Sequence, residues 1–128
     1  MANEPLLEAL VNYHRSKGRS LRTGIINTGG TFTNVPVKIN DKVLLEPAHS
    51  EEELRKLFFE TLGLEFYVQQ GLLELDFRYL FAKDSSQMKD KDRKIMVQAI
   101  VDMYPNSDGI LVVHGTDSGT RTAQFFAV

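Results

Sequence analysis

The sequence predicts an α/β protein whose largely parallel sheet is flanked by helices, with one β-hairpin beside it. Three observations carry this. β-favouring segments alternate along the chain with segments of helical periodicity. The run Ile110-Leu111-Val112-Val113 is continuously apolar, as in a parallel strand covered on both faces. Polar clusters stand just past three strands, at Thr28–Thr31, Asp84–Ser86 and Thr116–Asp117, where an open parallel sheet gathers its carboxyl ends.

The elements follow in order. Asn3 can cap a first helix, and Pro5 suits a first turn that needs no N–H. Leu6, Leu7, Leu10, Val11 and His14 repeat at helical spacing, and Gly18 can end the helix in a left-handed conformation. The run Leu21-Arg22-Thr23-Gly24-Ile25-Ile26-Asn27 reads as a strand leading into Thr28-Gly29-Gly30-Thr31. Val35, Val37 and Ile39, the turn pair Asn40-Asp41, and Val43-Leu44-Leu45 predict a hairpin from Val35 to Glu46. Ser50-Glu51-Glu52-Glu53 is a capping box. The helix it starts exposes Glu52 and Lys56, buries Leu54, Leu57 and Phe58, and ends near Gly63.

Leu64–Gln70 fits helix and strand equally well. Leu73, Leu75, Phe77 and Tyr79 alternate with Glu74, Asp76 and Arg78, as in a strand with one wet face. A second amphipathic helix spans about Asp90 to Tyr104 and buries Met96, Ala99, Ile100 and Met103. The mixed charges of Lys89–Lys94 read as its solvated start. Pro105-Asn106 and Asp108-Gly109 form a turn before Ile110–Val113, and a third helix is expected from about Ser118 or Gly119. The expected organisation is a helical extension over residues 1–20, followed by one α/β domain over 21–128.

Composition narrows the function. A chain of 128 residues with 42% apolar and 25% charged residues suits one ordinary globular domain. A formal net charge of −2 gives no general electrostatic reason to bind nucleic acid or a membrane surface. No stretch approaches the roughly 20 apolar residues of a membrane span. The first residues carry no basic-then-apolar secretory pattern, and the absence of cysteine removes disulfides and thiolate chemistry. A cytoplasmic protein is expected.

The three polar clusters would bring hydroxyls, an acid and glycine amides to one sheet edge. Glycine lets a ligand approach the backbone, and free amides can stabilise an oxyanion. A threonine hydroxyl needs a nearby base to act as a nucleophile. Each feature also has a plain reading. Gly29-Gly30 can be only a tight turn, Asp117 only a helix cap, and His114 a hydrogen-bonded core histidine. No histidine has a second ligand at metal spacing, and no Gly-Lys-Ser/Thr follows the glycines as a phosphate-binding loop requires. Neither metal nor cofactor is expected.

Together the residues resemble a specific family, the bacterial-type L-asparaginase/glutaminases. Ile25-Ile26-Asn27-Thr28-Gly29-Gly30-Thr31 is similar to its first signature, a strand running into Thr-Gly-Gly-Thr. Asp108-Gly109-Ile110-Leu111-Val112-Val113-His114-Gly115-Thr116-Asp117-Ser118 is similar to its second. Asp84-Ser85-Ser86-Gln87-Met88 resembles the intervening Asp-Ser-Ser-Asn-Met of the cytoplasmic members. The three motifs stand in the family's order. The resemblance implies that Thr31 is the nucleophile that attacks the side-chain amide of L-asparagine or L-glutamine and forms an acyl-enzyme. It makes Thr116 the second catalytic threonine, acting with Asp117 and a downstream lysine. Asp117 would also hold the substrate's α-ammonium group. Ser85 and Ser86 would bind the α-carboxylate and amine, and Gly30 and Gly115 would lend backbone amides.

The pattern departs from the family in two respects. No tyrosine lies between Thr31 and Ser50, where the family supplies one from a mobile loop, and the sequence stops short of the triad's lysine. The expectation is therefore the first part of such an enzyme, with the sheet and second domain incomplete. The uncovered Ile110–Val113 and Phe125-Phe126 would drive self-association into a homo-oligomer. The alternative is an amino-acid-binding module that holds aspartate or asparagine without turnover. A nucleotide-binding domain has only the glycine turn to support it.

Overall fold

In chain order, the computed structural model contains helix α1 (Glu4–Lys17), strand β1 (Leu21–Asn27), strands β2 (Asn34–Ile39) and β3 (Lys42–Pro47), and helix α2 (Glu51–Lys56). A wider π-helical turn, Leu57–Thr61, extends α2. Helix α3 (Glu65–Gln69), strand β4 (Leu73–Tyr79), helix α4 (Asp90–Met103) and strand β5 (Gly109–Val113) follow, with 3-10 turns at Ser85–Gln87 and Tyr104–Asn106. The structure describes residues 4–30, 34–115 and 122; side chains are described for these except at 34–37, 45–47 and 85. The expected cap at Asn3 lies outside the described residues, as do the helix expected from Ser118 or Gly119 and Phe125-Phe126.

Strand β1 is central. It runs parallel to β4 on one side, with Leu21 opposite Leu73 and Asn27 opposite Tyr79, and parallel to β5 on the other, with Thr23 opposite Gly109 and Asn27 opposite Val113. Successive strand residues point to opposite faces, so the adjacent Ile25 and Ile26 separate the two layers of core. Ile25 packs with Phe77 and Val113 against Leu54, Leu57 and Phe58 of α2 and its extension. The rings of Phe58 and Phe77 meet edge to face at 5.6 Å, the arrangement their quadrupoles favour. Farther along this face, Leu10 of α1 and Tyr67 of α3 pack on Leu73. Ile26 faces the other way and packs on Ala99 and Met103 of α4.

Local chemistry explains most boundaries. Pro5 lies in the first turn of α1, and Gly18 closes the helix at φ +71° with its N–H on the His14 carbonyl. The hairpin turns through Asn40 and Asp41, both at positive φ (48° and 63°), the geometry that matches the twist of the flanking strands. Ser50 caps α2 by accepting the Glu53 N–H at 3.1 Å. The carboxylate of Glu53 in turn accepts the N–H of His49 at 2.6 Å, one residue earlier than the capping box predicts. The ambiguous Leu64–Gln70 segment contains helix α3, because Tyr67 has Leu10 and Leu73 to pack on.

One sequence expectation needs correction. The start of α4 is not solvated throughout: Asp92 and Arg93 are buried. Both have partners outside their own helical turn, Lys83 for Asp92 and Thr122 for Arg93, which offset their desolvation. Strand β5, whose Ile110–Val113 run is expected to be uncovered, is open at Leu111 and buried at Val113. It is an edge of the described sheet, and Leu111 is 47% exposed. The alternation in β4 is as expected, with Leu73 and Phe77 buried and Glu74, Asp76 and Arg78 exposed.

Candidate functional site at the carboxyl edge of the sheet

Parallel pairing puts the carboxyl ends of β4, β1 and β5 side by side, and the backbone beyond β1 is tied to both neighbours. The N–H of Thr28 donates to the Val113 carbonyl at 3.0 Å, and its hydroxyl donates to the same oxygen at 2.6 Å. The carbonyl of Thr28 accepts the Lys83 N–H at 3.0 Å, and that of Asn27 accepts the Leu80 N–H at 3.1 Å. Asn27 adds a side-chain bond from Nδ2 to the Phe81 carbonyl at 3.2 Å. Asn27 and Thr28 are fully buried, so these bonds satisfy groups that water cannot reach.

This stitching explains the paired glycines. Gly29 has φ +128°, and a Cβ there would stand 2.3 Å from the Lys83 carbonyl oxygen. Gly30 has φ +93°, and a Cβ there would stand 3.0 Å from the Gly115 nitrogen. The turn after β1 therefore runs between the segment after β4 and the segment after β5, and only glycine fits such an approach. Gly30 and Gly115, expected to share a site, are brought together.

The segment after β4 turns sharply. Ser85 opens a 3-10 turn, Ser85–Gln87. The Asp84 carboxylate accepts both the N–H (2.9 Å) and the hydroxyl (2.8 Å) of Ser86. The backbone bond first and the hydroxyl bond second hold the Asp84 carboxyl below its ordinary value. Asp84 and Ser86 are exposed. A serine hydroxyl committed as donor offers its lone pairs outward, so this pair suits a cationic group. Thr31, Thr116 and Asp117 lie outside the described residues.

Sequence reasoning missed a second set of groups that braces these segments from α4. Lys83 Nζ lies 2.8 Å from Asp92 Oδ1, and Asp92 Oδ2 accepts the Lys89 N–H at 3.0 Å. The Lys83 ammonium, chiefly, holds the Asp92 carboxyl below the usual carboxylate range. Asp92 follows Lys89 by three residues at a helix start, the position of a reciprocal cap, and that spacing could have flagged it. Arg93 donates from Nη1 to Asp90 at 2.9 Å and from Nε to the Thr122 hydroxyl oxygen at 2.8 Å. Thr122 Oγ1 lies 3.0 Å from His114 Nε2, and His114 Nδ1 is hydrogen-bonded to the Gly115 carbonyl. His114 is thus the half-buried, hydrogen-bonded histidine of the plain reading. Among the described residues, no group of three or more His, Cys, Asp and Glu side chains could hold a metal, and no helix is long and apolar enough to cross a membrane.

The model of the N-terminal domain of asparaginases matches residues 22–128. Three solved structures share the fold. The thermostable L-asparaginase from Thermococcus kodakarensis has a TM-score of 0.61 at 18% identity, over 83% of this chain and 29% of that one. L-asparaginase I from Vibrio cholerae O1 biovar eltor has a TM-score of 0.57 at 24% identity, over 84% of this chain and 29% of that one. A probable cytoplasmic L-asparaginase from Campylobacter jejuni has a TM-score of 0.61 at 21% identity, over 84% of this chain and 30% of that one. The chain spans under a third of the length of each. Comparison with curated proteins gave no match. The match runs through all three segments at the sheet edge and covers most of the sequence, and by it the chain belongs to the asparaginase family.

Proposed function

We propose that this chain supplies the nucleophile-bearing part of an amidohydrolase that converts L-asparagine, or L-glutamine, to the corresponding acid and ammonia. One observation carries the reading. The Gly29-Gly30 turn is wedged between Lys83 and Gly115, so the segments leading to Thr31, Ser85 and Thr116 all start from one edge. In this reading the Thr31 hydroxyl adds to the side-chain amide carbon. The hydroxyl proton passes to the departing nitrogen, ammonia leaves, and an ester to Thr31 remains. Thr116 and Asp117 activate the second step, in which water cleaves the ester and releases the acid. The exposed Asp84–Ser86 pair and Asp117 take the α-ammonium group, and Ser85 takes the α-carboxylate. Amides at Gly30 and Gly115 face the reacting amide.

The domain organisation belongs to the same proposal, with residues 1–20 an extension and 21–128 the catalytic layer; a family match beginning at residue 22 supports it. A cytoplasmic, homo-oligomeric state is part of the same proposal. The test is ammonia release from L-asparagine and L-glutamine by the purified protein, with Thr31→Ala as control. Release abolished in the variant is the expected result. Release that survives Thr31→Ala overturns the nucleophile assignment. Aspartate binding by calorimetry with no release favours a binding module instead, a reading supported by the lack of a tyrosine between Thr31 and Ser50.

A further inference from the structure

His114 follows β5 and precedes Gly115 at the site edge, and three neighbouring groups determine how its ring is held. A carbonyl oxygen only accepts, so the contact between His114 Nδ1 and the Gly115 carbonyl requires a proton on Nδ1. In the neutral ring Nε2 then carries a lone pair, and the Thr122 hydroxyl, 3.0 Å away, must donate to it. That hydroxyl can point its hydrogen at Nε2 because its oxygen already accepts Arg93 Nε–H at 2.8 Å. Arg93 Nε can only donate, and the residue is buried, with Nη1 anchored on Asp90. Polarity therefore runs one way, from guanidinium to hydroxyl to imidazole to carbonyl.

We infer that Arg93 is a positioning residue. Acting through Thr122, it fixes His114 as the Nδ1–H tautomer and so fixes the Gly115 carbonyl. The bearing on catalysis rests on the proposed function; the tautomer does not. The start of the loop after β5 is thereby oriented from α4, the role that outer hydrogen bonds play around reactive groups.

The experiment is nitrogen-15 NMR of the imidazole rings in the whole chain, with His14→Gln and His49→Gln to assign His114. The near-isosteric Thr122→Val removes the hydroxyl, Thr122→Ser keeps it, and Arg93→Met removes the donor while keeping the aliphatic stem. The expected wild-type spectrum shows one Nδ1–H tautomer. Thr122→Ser preserves it; Thr122→Val and Arg93→Met turn it into a tautomer mixture and shift the amide of Thr116. An Nε2–H ring in the wild type overturns the inference, as does an unchanged tautomer in Thr122→Val. Loss in Thr122→Val without loss in a folded Arg93→Met overturns the part assigned to Arg93. Thr122→Val carries the test if Arg93→Met does not fold. None of these spectra needs turnover, so a protein that fails to hydrolyse asparagine counts against the proposed function and leaves the tautomer result standing.

Discussion

Replacing Gly29 by alanine tests the way the site edge is built. The substitution adds one carbon to a backbone at φ +128°, with the Lys83 carbonyl oxygen 2.3 Å and the Lys83 nitrogen 2.8 Å from where that carbon must go. Ordinary contact begins near 3.4 Å, so the segment after β4 must retreat by about 1 Å. That movement breaks the 3.0 Å bond from Lys83 N–H to the buried Thr28 carbonyl. An unfavourable backbone region costs about 1–3 kcal/mol, and an orphaned buried carbonyl about 1–3 kcal/mol more. The sum, about 2–6 kcal/mol, is a large part of a typical domain's total stability of about 5–15 kcal/mol. With a urea slope of about 2 kcal/mol/M, the unfolding midpoint should fall by roughly 2 M. Gly71→Ala is the control: its φ is +73°, and an added Cβ meets nothing within 4 Å, so only the backbone term of about 1 kcal/mol applies. Unfolding of the two variants, followed by circular dichroism, separates the terms. Midpoints within about 0.5 M of each other would refute the claim that Gly29 is required by the close approach of the two loops.

Two further predictions concern charge. The folded-state value of the Asp92 carboxyl lies below its ordinary 3.8, so its stabilisation is complete above 3.8 and is lost as pH falls through the lower folded value. Asp92→Asn should therefore cost about 1–2 kcal/mol near neutrality, discounted for the partly exposed Lys83, and nothing in strong acid. Urea titrations across that range check it, and a gap independent of pH would exclude the Lys83 pairing as its cause. Asp108 carries the same sign more strongly. Arg19 grips it through two bonds of 2.7 Å, and the Arg22 N–H adds a third of 2.8 Å. The Arg19 guanidinium, chiefly, holds Asp108 well below the usual carboxylate range. Arg19→Met and Asp108→Asn should each lower the melting temperature near neutrality, and the double variant should fall short of their sum. Full additivity would show that the pair does not couple the end of α1 to the start of β5.

How much of this was legible follows the range of the interactions. Helix α1, the hairpin and strand β4 are written in local periods and turn residues, such as Pro5, Asn40-Asp41 and the alternation from Leu73 to Tyr79, and each forms where those signals stand. The carboxyl edge was legible for the same reason: strand followed by glycine or polar turn is a short-range pattern. What failed was whatever depends on a partner distant in sequence. Arg93 reads as one more surface charge until Thr122, 29 residues on, and His114 are placed beside it. The roles proposed for Thr31, Thr116 and Asp117 come from the family motifs, whereas the side chains that brace the neighbouring described segments lie mostly outside those motifs. Lys83 and Asp92 fasten the β4 loop to α4, and Arg93 fastens the β5 loop to the same helix. Helix α4 thus braces two of the three described segments at the edge, through Asp92 and through Arg93 by way of Thr122.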